Sequence, residues 1–276
     1  MIFENIMKTI VYSAIGKDFI WEACVSAKSV REKMPGIRIV IFSDRNIISE
    51  YFDEVYRIDV DGSISPEIKS IKVQKMESLC RLPFGDYLFL DCDTYLVEPV
   101  WDLFVYLENF NLGFCFDNWR SDIKTQGVQS YNSGVIVFRK DELVASFLSD
   151  WRESYLSEVA VPDQYTFNKL IVESNLRYVT LPPEYNFRAE ELHLAGSTVK
   201  IVHKHHRSSL DRNCASLGHF LNSIQSIRLY IPDGRMISFD SSGLRDVSIF
   251  DDPGVQSELT SLAEKSLDVK FSLEDW

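Results

Sequence analysis

The sequence predicts an α/β fold: a mixed, mainly parallel sheet with helices on both faces and a small C-terminal extension. Three observations carry this. Short β-rich runs alternate with stretches of helical spacing along the first 58 residues. Later apolar runs such as 87–90 are unbroken, as in strands covered on both faces. The chain has 276 residues, 45% hydrophobic and 13% aromatic, enough to bury one large core with a small appendage.

The elements follow in order. Residues 9–14 form a β-rich run that stops at Gly16. From there Ile20, Cys24, Ala27, Val30 and Met34 recur at helical spacing, with Asp18 placed as N-cap and Pro35-Gly36 as the stop. Residues 37–42 make a second strand ending at Ser43-Asp44; a helical stretch at 50–54 then leads to a third short strand at 55–58. Ligands of such sheets sit beyond the carboxyl ends of the strands, so Ser13, Ala14 and Asp44 are candidate binding positions. Residues 68–79 read as a helix closed by Leu82-Pro83, with Lys69, Lys72 and Lys75 at every third position, the pattern of a solvated basic face. The strand at 87–90 then delivers Asp91-Cys92-Asp93. Further strands are expected at 112–116, 134–138, 178–181 and 199–202, with helices at 141–155 and 162–174. Beyond His206 the character changes: 207–223 is helical or irregular, and 226–239 reads as a hairpin turning at Pro232-Asp233-Gly234. The expected division is 1–206 and 207–276.

Charge and cysteine content narrow the function classes. A net charge of −12 disfavours a nucleic-acid partner, which needs a basic surface. A nucleotide ligand is still compatible, because local cations can invert the field of one cleft. The five cysteines are scattered, odd in number and never CxxC, which fits reduced thiols in a cytoplasmic protein, at most peripheral to a membrane. No window is apolar for long enough to span a bilayer, and the N-terminus reads as a first strand and not a signal peptide.

An Asp-x-Asp triplet is weak by itself. With 22 aspartates, about two are expected by chance, and two occur, at 59–61 and 91–93. The first runs into Gly62-Ser63 and reads as a turn. The second ends a buried apolar strand, where two adjacent carboxylates repel unless a cation sits between them. A hard divalent ion meets that need and keeps positions open for phosphate oxygens. Downstream, the strand at 199–202 ends in His203-Lys204-His205-His206-Arg207. Here His203 is a candidate metal ligand, and the cations beside it are candidate diphosphate contacts. A mixed oxygen and imidazole shell favours Mn²⁺ over Mg²⁺.

The run from Leu82-Pro83-Phe84 through Tyr87-Leu88-Phe89-Leu90 to Asp91-Cys92-Asp93-Thr94 resembles the core of GT-A nucleotide-sugar transferases, whose metal-binding aspartates lie in such a stretch. Tyr131-Asn132-Ser133-Gly134-Val135 resembles their "fNsGv" strand, and Asp163-Gln164 with Asn168 their "DQ…N" helix start. Leu181-Pro182-Pro183-Glu184-Tyr185-Asn186 resembles the "Lp…yN" turn, and Ile201-Val202-His203 the strand carrying the metal histidine of glycosyltransferase family 8. These matches keep the family's order and span roughly 8–206. One departure stands out. Family 8 usually continues His-x-x-Gly-x-x-Lys-Pro-Trp, which this chain replaces with Lys204-His205-His206-Arg207.

The resemblance implies a GT-A fold and transfer of a sugar from an NDP-sugar, UDP-sugar favoured, to an acceptor hydroxyl on a glycan, lipid or protein, with retention of configuration. It implies metal binding by Asp91, Asp93 and His203, and diphosphate contacts from Lys72, Lys75 and Lys204. Asp163 is expected at the sugar hydroxyls, Gln164 near the anomeric carbon and Asn132 near the donor sugar. An inverting enzyme would need a carboxylate base, for which Asp117 and Glu184 are candidates. Two alternatives remain open. The Asp91 loop also resembles that of haloacid-dehalogenase-type phosphatases, which carry it on their first strand, whereas about 90 residues precede it here. The other alternative is a non-catalytic GT-A protein that binds a nucleotide sugar.

Overall fold

In the computed structural model the chain opens with β1 (Lys8–Ala14), α1 (Lys17–Lys33) and β2 (Arg38–Ser43). Two short strands, β3 (Ile47–Ile48) and β4 (Glu54–Arg57), precede α2 (Glu67–Arg81), β5 (Gly85–Leu90) and β6 (Thr94–Leu96). After a 3-10 turn at Trp101–Glu108 come β7 (Leu112–Phe116), β8 (Tyr131–Lys140), α3 (Glu142–Ser157), α4 (Asp163–Glu173) and β9 (Tyr178–Leu181). A second 3-10 turn, Pro183–Tyr185, leads to β10 (Ile201–His203). The structure describes residues 7–59, 67–117, 130–158, 163–187 and 199–203. It also describes the backbone of β11 (Ser226–Tyr230), β12 (Met236–Asp240), β13 (Gly243–Leu244) and β14 (Lys270–Phe271).

Seven strands form the main sheet in the order β4-β2-β1-β5-β8-β7-β9. Every neighbouring pair is parallel except those made by β8, which runs against both β5 and β7. Period-two alternation divides the sheet residues between two cores. Ile10, Tyr12, Ile39, Ile41, Leu88, Leu90, Val135 and Val137 pack with α1 and the turn at Trp101–Glu108. Val11, Val40, Phe42, Tyr87, Phe89, Phe114, Ile136 and Phe138 pack with α2, α3 and α4. The expected helices on both faces are therefore present. Chain order reverses between β1 and β5: β1 leads outward to β2, and β5 lies on its other side. That is a switch point, where a crevice opens at the carboxyl ends.

Several local expectations change. Residues 50–54 are not helical: the backbone turns there, and Asp53 accepts a 2.7 Å bond from the Ile39 N–H while pairing with Arg31 at 2.8 Å. The Asp53 carboxylate thus anchors a turn that a helix would pull away. The residue before α1 is Gly16, not Asp18, which falls in the first turn, where its charge suits the helix dipole. Gly16 has φ +85°, a conformation that a side chain would oppose, and its N–H donates to Asp44 Oδ1 at 2.8 Å. The last strand of the 199–202 run is shifted to Ile201–His203, which brings the histidine itself into the ladder. Residues 207–223 and Cys214 lie outside the described residues, as do Val60-Asp61 of the first triplet. The hairpin is present as the antiparallel pair β11–β12, and β14 returns to pair with β3. The other four cysteines are free thiols. Among the described residues no helix is long and apolar enough to cross a membrane.

Lys140, 4% exposed, closes the carboxyl end of α2 by donating to the carbonyls of Leu79, Cys80 and Leu82 at 3.0, 2.6 and 2.5 Å. Lys140→Met keeps the length of the stem but removes every donor. It is expected to lower unfolding free energy by about 2–3 kcal/mol in urea titration, since buried carbonyls lose their partner. A change below about 0.5 kcal/mol would contradict this role.

Candidate active site

The crevice is built where β5 ends. Asp91 follows Leu90 directly, and its N–H donates to the Gly134 carbonyl at 2.7 Å, so the antiparallel β8 holds it from the side. A tight turn carries the chain to Thr94, whose hydroxyl donates to the Asp91 carbonyl at 2.8 Å. A hydroxyl chain, Tyr12–Ser26–Thr94 at 2.8 and 2.9 Å, ties that turn to β1 and α1. Cys92 points the other way, its thiol toward the Ser13 carbonyl at 3.3 Å. Alternate residues Asp91 and Asp93 are thereby left at the rim. β10 pairs antiparallel with β6 so that His203 stands opposite Thr94, and its N–H donates to Phe187 at 2.7 Å.

One ligand atom each from Asp91, Asp93 and His203 falls within a 4.8 Å cluster. His203 Nε2 lies 3.2 Å from Asp93 Oδ1 and 3.7 Å from Asp91 Oδ2. Neighbouring ligands of a six-coordinate ion at about 2.2 Å are spaced by about 3 Å, so the donor set fits a divalent cation. Gly134 makes room for the cluster. A Cβ built there would lie 2.3 Å from His203 Cε1, 2.7 Å from Asp91 Oδ2 and 2.9 Å from Asn132 Oδ1.

Behind the triad, Lys75 is buried, not solvated as a basic face would be. Its ammonium donates to Asp91 Oδ1 at 3.0 Å and to the Ser133 carbonyl at 2.6 Å, and lies 3.9 Å from Asp163. Lys72, still partly exposed, reaches Asp163 Oδ1 at 3.4 Å. Asp163 is 5% exposed and also accepts from the Ser133 hydroxyl at 3.2 Å. Burial disfavours its charged form, yet attraction to Lys72 and Lys75 prevails and holds Asp163 below the usual carboxylate range. Attraction to Asp163, opposed by burial, raises Lys72 in turn. Among the described residues, Asp91, Asp93 and Asp163 outnumber the ammonium groups of Lys72 and Lys75, a deficit that a cation offsets.

The sign of the Asp163 shift sets a pH dependence. A depressed carboxylate contributes stability above its unfolded pKa of about 4, and that contribution disappears as pH falls through the lower folded value. The melting-temperature advantage of the native chain over Asp163→Asn is expected to be full at neutral pH and to shrink below about pH 4. A pH-independent difference would count against the pairing.

The remaining candidates divide. Asn132 donates to Gln164 Oε1 at 3.4 Å, and Gln164 donates to Asp117, so these three meet beside the triad. Asn132 also accepts from the Gly134 N–H at 2.8 Å, the local turn contact that its position at a strand start suggests. Asn168 clamps the start of β8 by bonding both backbone groups of Tyr131, at 2.6 and 2.9 Å. Ser13 and Ala14 end β1 next to β5, and Asp44 is engaged with Gly16 across the β1–α1 turn. Ser13 Oγ accepts from Ser78 at 3.0 Å. Glu184 is buried in the turn before β10, where its carbonyl accepts from the Lys200 N–H at 2.9 Å, and Asp117 accepts from Gln164. Lys204 and the cations after it lie outside the described residues. Asn186, in sequence no more than the end of a turn, proves central: it bridges His203 Nδ1 at 2.6 Å and Asn132 Oδ1 at 2.9 Å. Its place in the "Lp…yN" run was the one signal available.

Residues 72–225 match the family model described as nucleotide-diphospho-sugar transferase, more than half of the chain. The chain belongs to the nucleotide-diphospho-sugar transferase family. Glycosyltransferase folds are also its structural neighbours. The galactosyltransferase LgtC, in complex with donor and acceptor sugar analogs, is 19% identical with a TM-score of 0.53, over 77% of this chain and 92% of that one. The glycosyltransferase GlyE of Streptococcus pneumoniae TIGR4 is 16% identical with a TM-score of 0.55, over 72% of this chain and 54% of GlyE. No curated protein sequence matches the chain. The GT-A fold is thereby shown, and the family assigns the chain as a glycosyltransferase that takes a nucleotide-diphospho-sugar donor.

Proposed function

We propose that this glycosyltransferase uses a divalent cation, Mn²⁺ in preference to Mg²⁺, to transfer a sugar from UDP-sugar to an acceptor hydroxyl with retention of configuration. The observation that carries the proposal is the meeting of Asp91, Asp93 and His203 at the switch point of the sheet. A bound cation supplies positive charge to the leaving nucleoside diphosphate, the principal electrostatic need of such a transfer. The chain's own residues do the rest. Lys75 holds the Asp91 carboxylate in place through a 3.0 Å contact, and Lys72 with Asp163 makes a charged pair at the crevice wall.

In this reading the Asp163 carboxylate accepts from sugar hydroxyls, and Gln164 presents its amide at the anomeric carbon. Asp117 and Asn132 restrict rotation of that amide. The likeness of the chain's motifs to those of glycosyltransferase family 8 supports retention. Ser13, Ala14 and Asp44 belong to the nucleotide side of the crevice, and Lys204 to the diphosphate. Residues 207–276 form an extension on the unit 1–206. The test is release of UDP from a panel of UDP-sugars with and without Mn²⁺. Release that is cation-dependent supports the proposal; equal release in a chelator overturns it.

A further inference from the structure

Building on the metal reading, we infer that Asn186 is a positioning residue that sets the metal-competent tautomer of His203, and that the backbone N–H of Gly134 dictates its orientation. Amide oxygens and nitrogens are ordinarily assigned from the surrounding network. Here the network has an unambiguous starting point. A backbone N–H only donates, so the Asn132 atom 2.8 Å from the Gly134 nitrogen is the carbonyl oxygen. That same oxygen lies 2.9 Å from Asn186, which therefore presents its NH₂ group. What remains of the Asn186 amide is its oxygen, 2.6 Å from His203 Nδ1. An amide oxygen only accepts, so Nδ1 carries the proton.

A neutral imidazole has a single N–H, and Nε2 must then present its lone pair to Asp91 Oδ2 and Asp93 Oδ1. Three acceptors converge on one position, which is an arrangement for a cation and not for a hydrogen bond. The other end of the network agrees. Asn132 donates onward to Gln164, and Gln164 to the Asp117 carboxylate, which only accepts. Every amide therefore donates away from His203 or accepts toward it with consistent polarity. Asn132, Asn186 and His203 are each 4% exposed, so water is poorly placed to replace a missing partner.

Removing the Asn186 oxygen changes the balance. The proton moves to Nε2, where the Asp93 oxygen at 3.2 Å accepts it, and the hydrogen bond competes with the cation for the same lone pair. The experiment combines tautomer and affinity measurements on the full chain. Two-bond ¹H–¹⁵N correlations, recorded without metal over a range of pH, distinguish the neutral tautomers from the doubly protonated ring and report which His203 nitrogen carries the proton in the neutral form. The His203→Ala spectrum assigns the signal. Mn²⁺ affinity is measured by electron paramagnetic resonance titration.

Expected are the Nδ1–H form in the native chain, and the Nε2–H form with about 10- to 100-fold weaker Mn²⁺ binding in Asn186→Leu. Asn186→Asp keeps an acceptor toward Nδ1 but turns an oxygen against Asn132 Oδ1, and is expected to keep the Nδ1–H form and to bind Mn²⁺ more tightly than Asn186→Leu. An Nε2–H form in the native chain overturns the inference even where Asn186→Leu does not fold. So does native affinity together with the Nδ1–H form in Asn186→Leu. His203→Ala separates the two claims: undiminished Mn²⁺ binding there sinks the metal reading itself. Loss there, with undiminished binding in Asn186→Leu, overturns the Asn186 role alone.

Discussion

Asp93→Asn is expected to reduce cation-dependent UDP release by more than about 100-fold while leaving the melting temperature near that of the native chain. Of the two neighbouring carboxylates Asp91 and Asp93, Asp91 is also tied to a buried ammonium. Asp93 faces His203 Nε2 at 3.2 Å from the rim of the sheet, and its carboxylate is 25% exposed. Replacing one oxygen by an NH₂ group removes charge at the cation position and puts a donor against the histidine. Asp91 carries a further task, because its other oxygen accepts from the buried Lys75 at 3.0 Å. Asp91→Asn is therefore expected to lose transfer to a similar extent and also to lower stability, since the buried Lys75 then loses its closer carboxylate and keeps only Asp163, at 3.9 Å. Measuring UDP release and thermal melting for both variants checks the distinction. Full activity in either one would remove the basis for a metal-dependent reaction.

This contrast also shows what a linear reading of the chain can reach. The buried strand before Asp91 is visible as an unbroken apolar run, and two carboxylates at its end are informative because of that burial. The alternation that builds the sheet is equally local, which is why β1, β2, β5 and β7 lie close to where their residues suggest. Lys75 is different. Its spacing from Lys69 and Lys72 describes a helix surface, but the partners that draw it inward come from β5, β8 and α4, up to 88 positions away. No periodicity encodes such pairing. The helical reading of 50–54 failed for a related reason: Asp53 is committed to the Ile39 backbone and to Arg31, and those contacts outrank the propensity of a five-residue stretch. Asn186 was legible only as a member of a turn. Its chemistry arises when β10 brings His203 back beside Phe187, a matter of register between distant strands.

Gly134→Ala is expected to abolish most transfer, by about 100-fold, through displacement and not through loss of any functional group. Gly134 does not lie among the positive-φ glycines, so the backbone itself does not demand glycine. The demand is for space. The added methyl would meet His203 Cε1 at 2.3 Å and Asp91 Oδ2 at 2.7 Å, and neither can swing aside cheaply. His203 is bound through Asn186, Asp91 through Lys75, and the Gly134 carbonyl itself accepts from the Asp91 N–H at 2.7 Å. Relief must come from moving the histidine away from the carboxylates, so Mn²⁺ affinity is expected to fall together with turnover. The stability cost of such overpacking is about 1–3 kcal/mol. Gly113→Ala provides the matched comparison. The nearest atoms to its methyl would be Val137, Leu181 and Val179 side chains, at 2.9 to 3.1 Å, in the core between β7, β8 and β9. That variant is expected to lose stability on the same scale while its folded molecules keep native Mn²⁺ affinity and turnover. If both variants lose stability but neither loses Mn²⁺ binding, the close approach at Gly134 serves packing alone, and His203 is not held where the geometry places it.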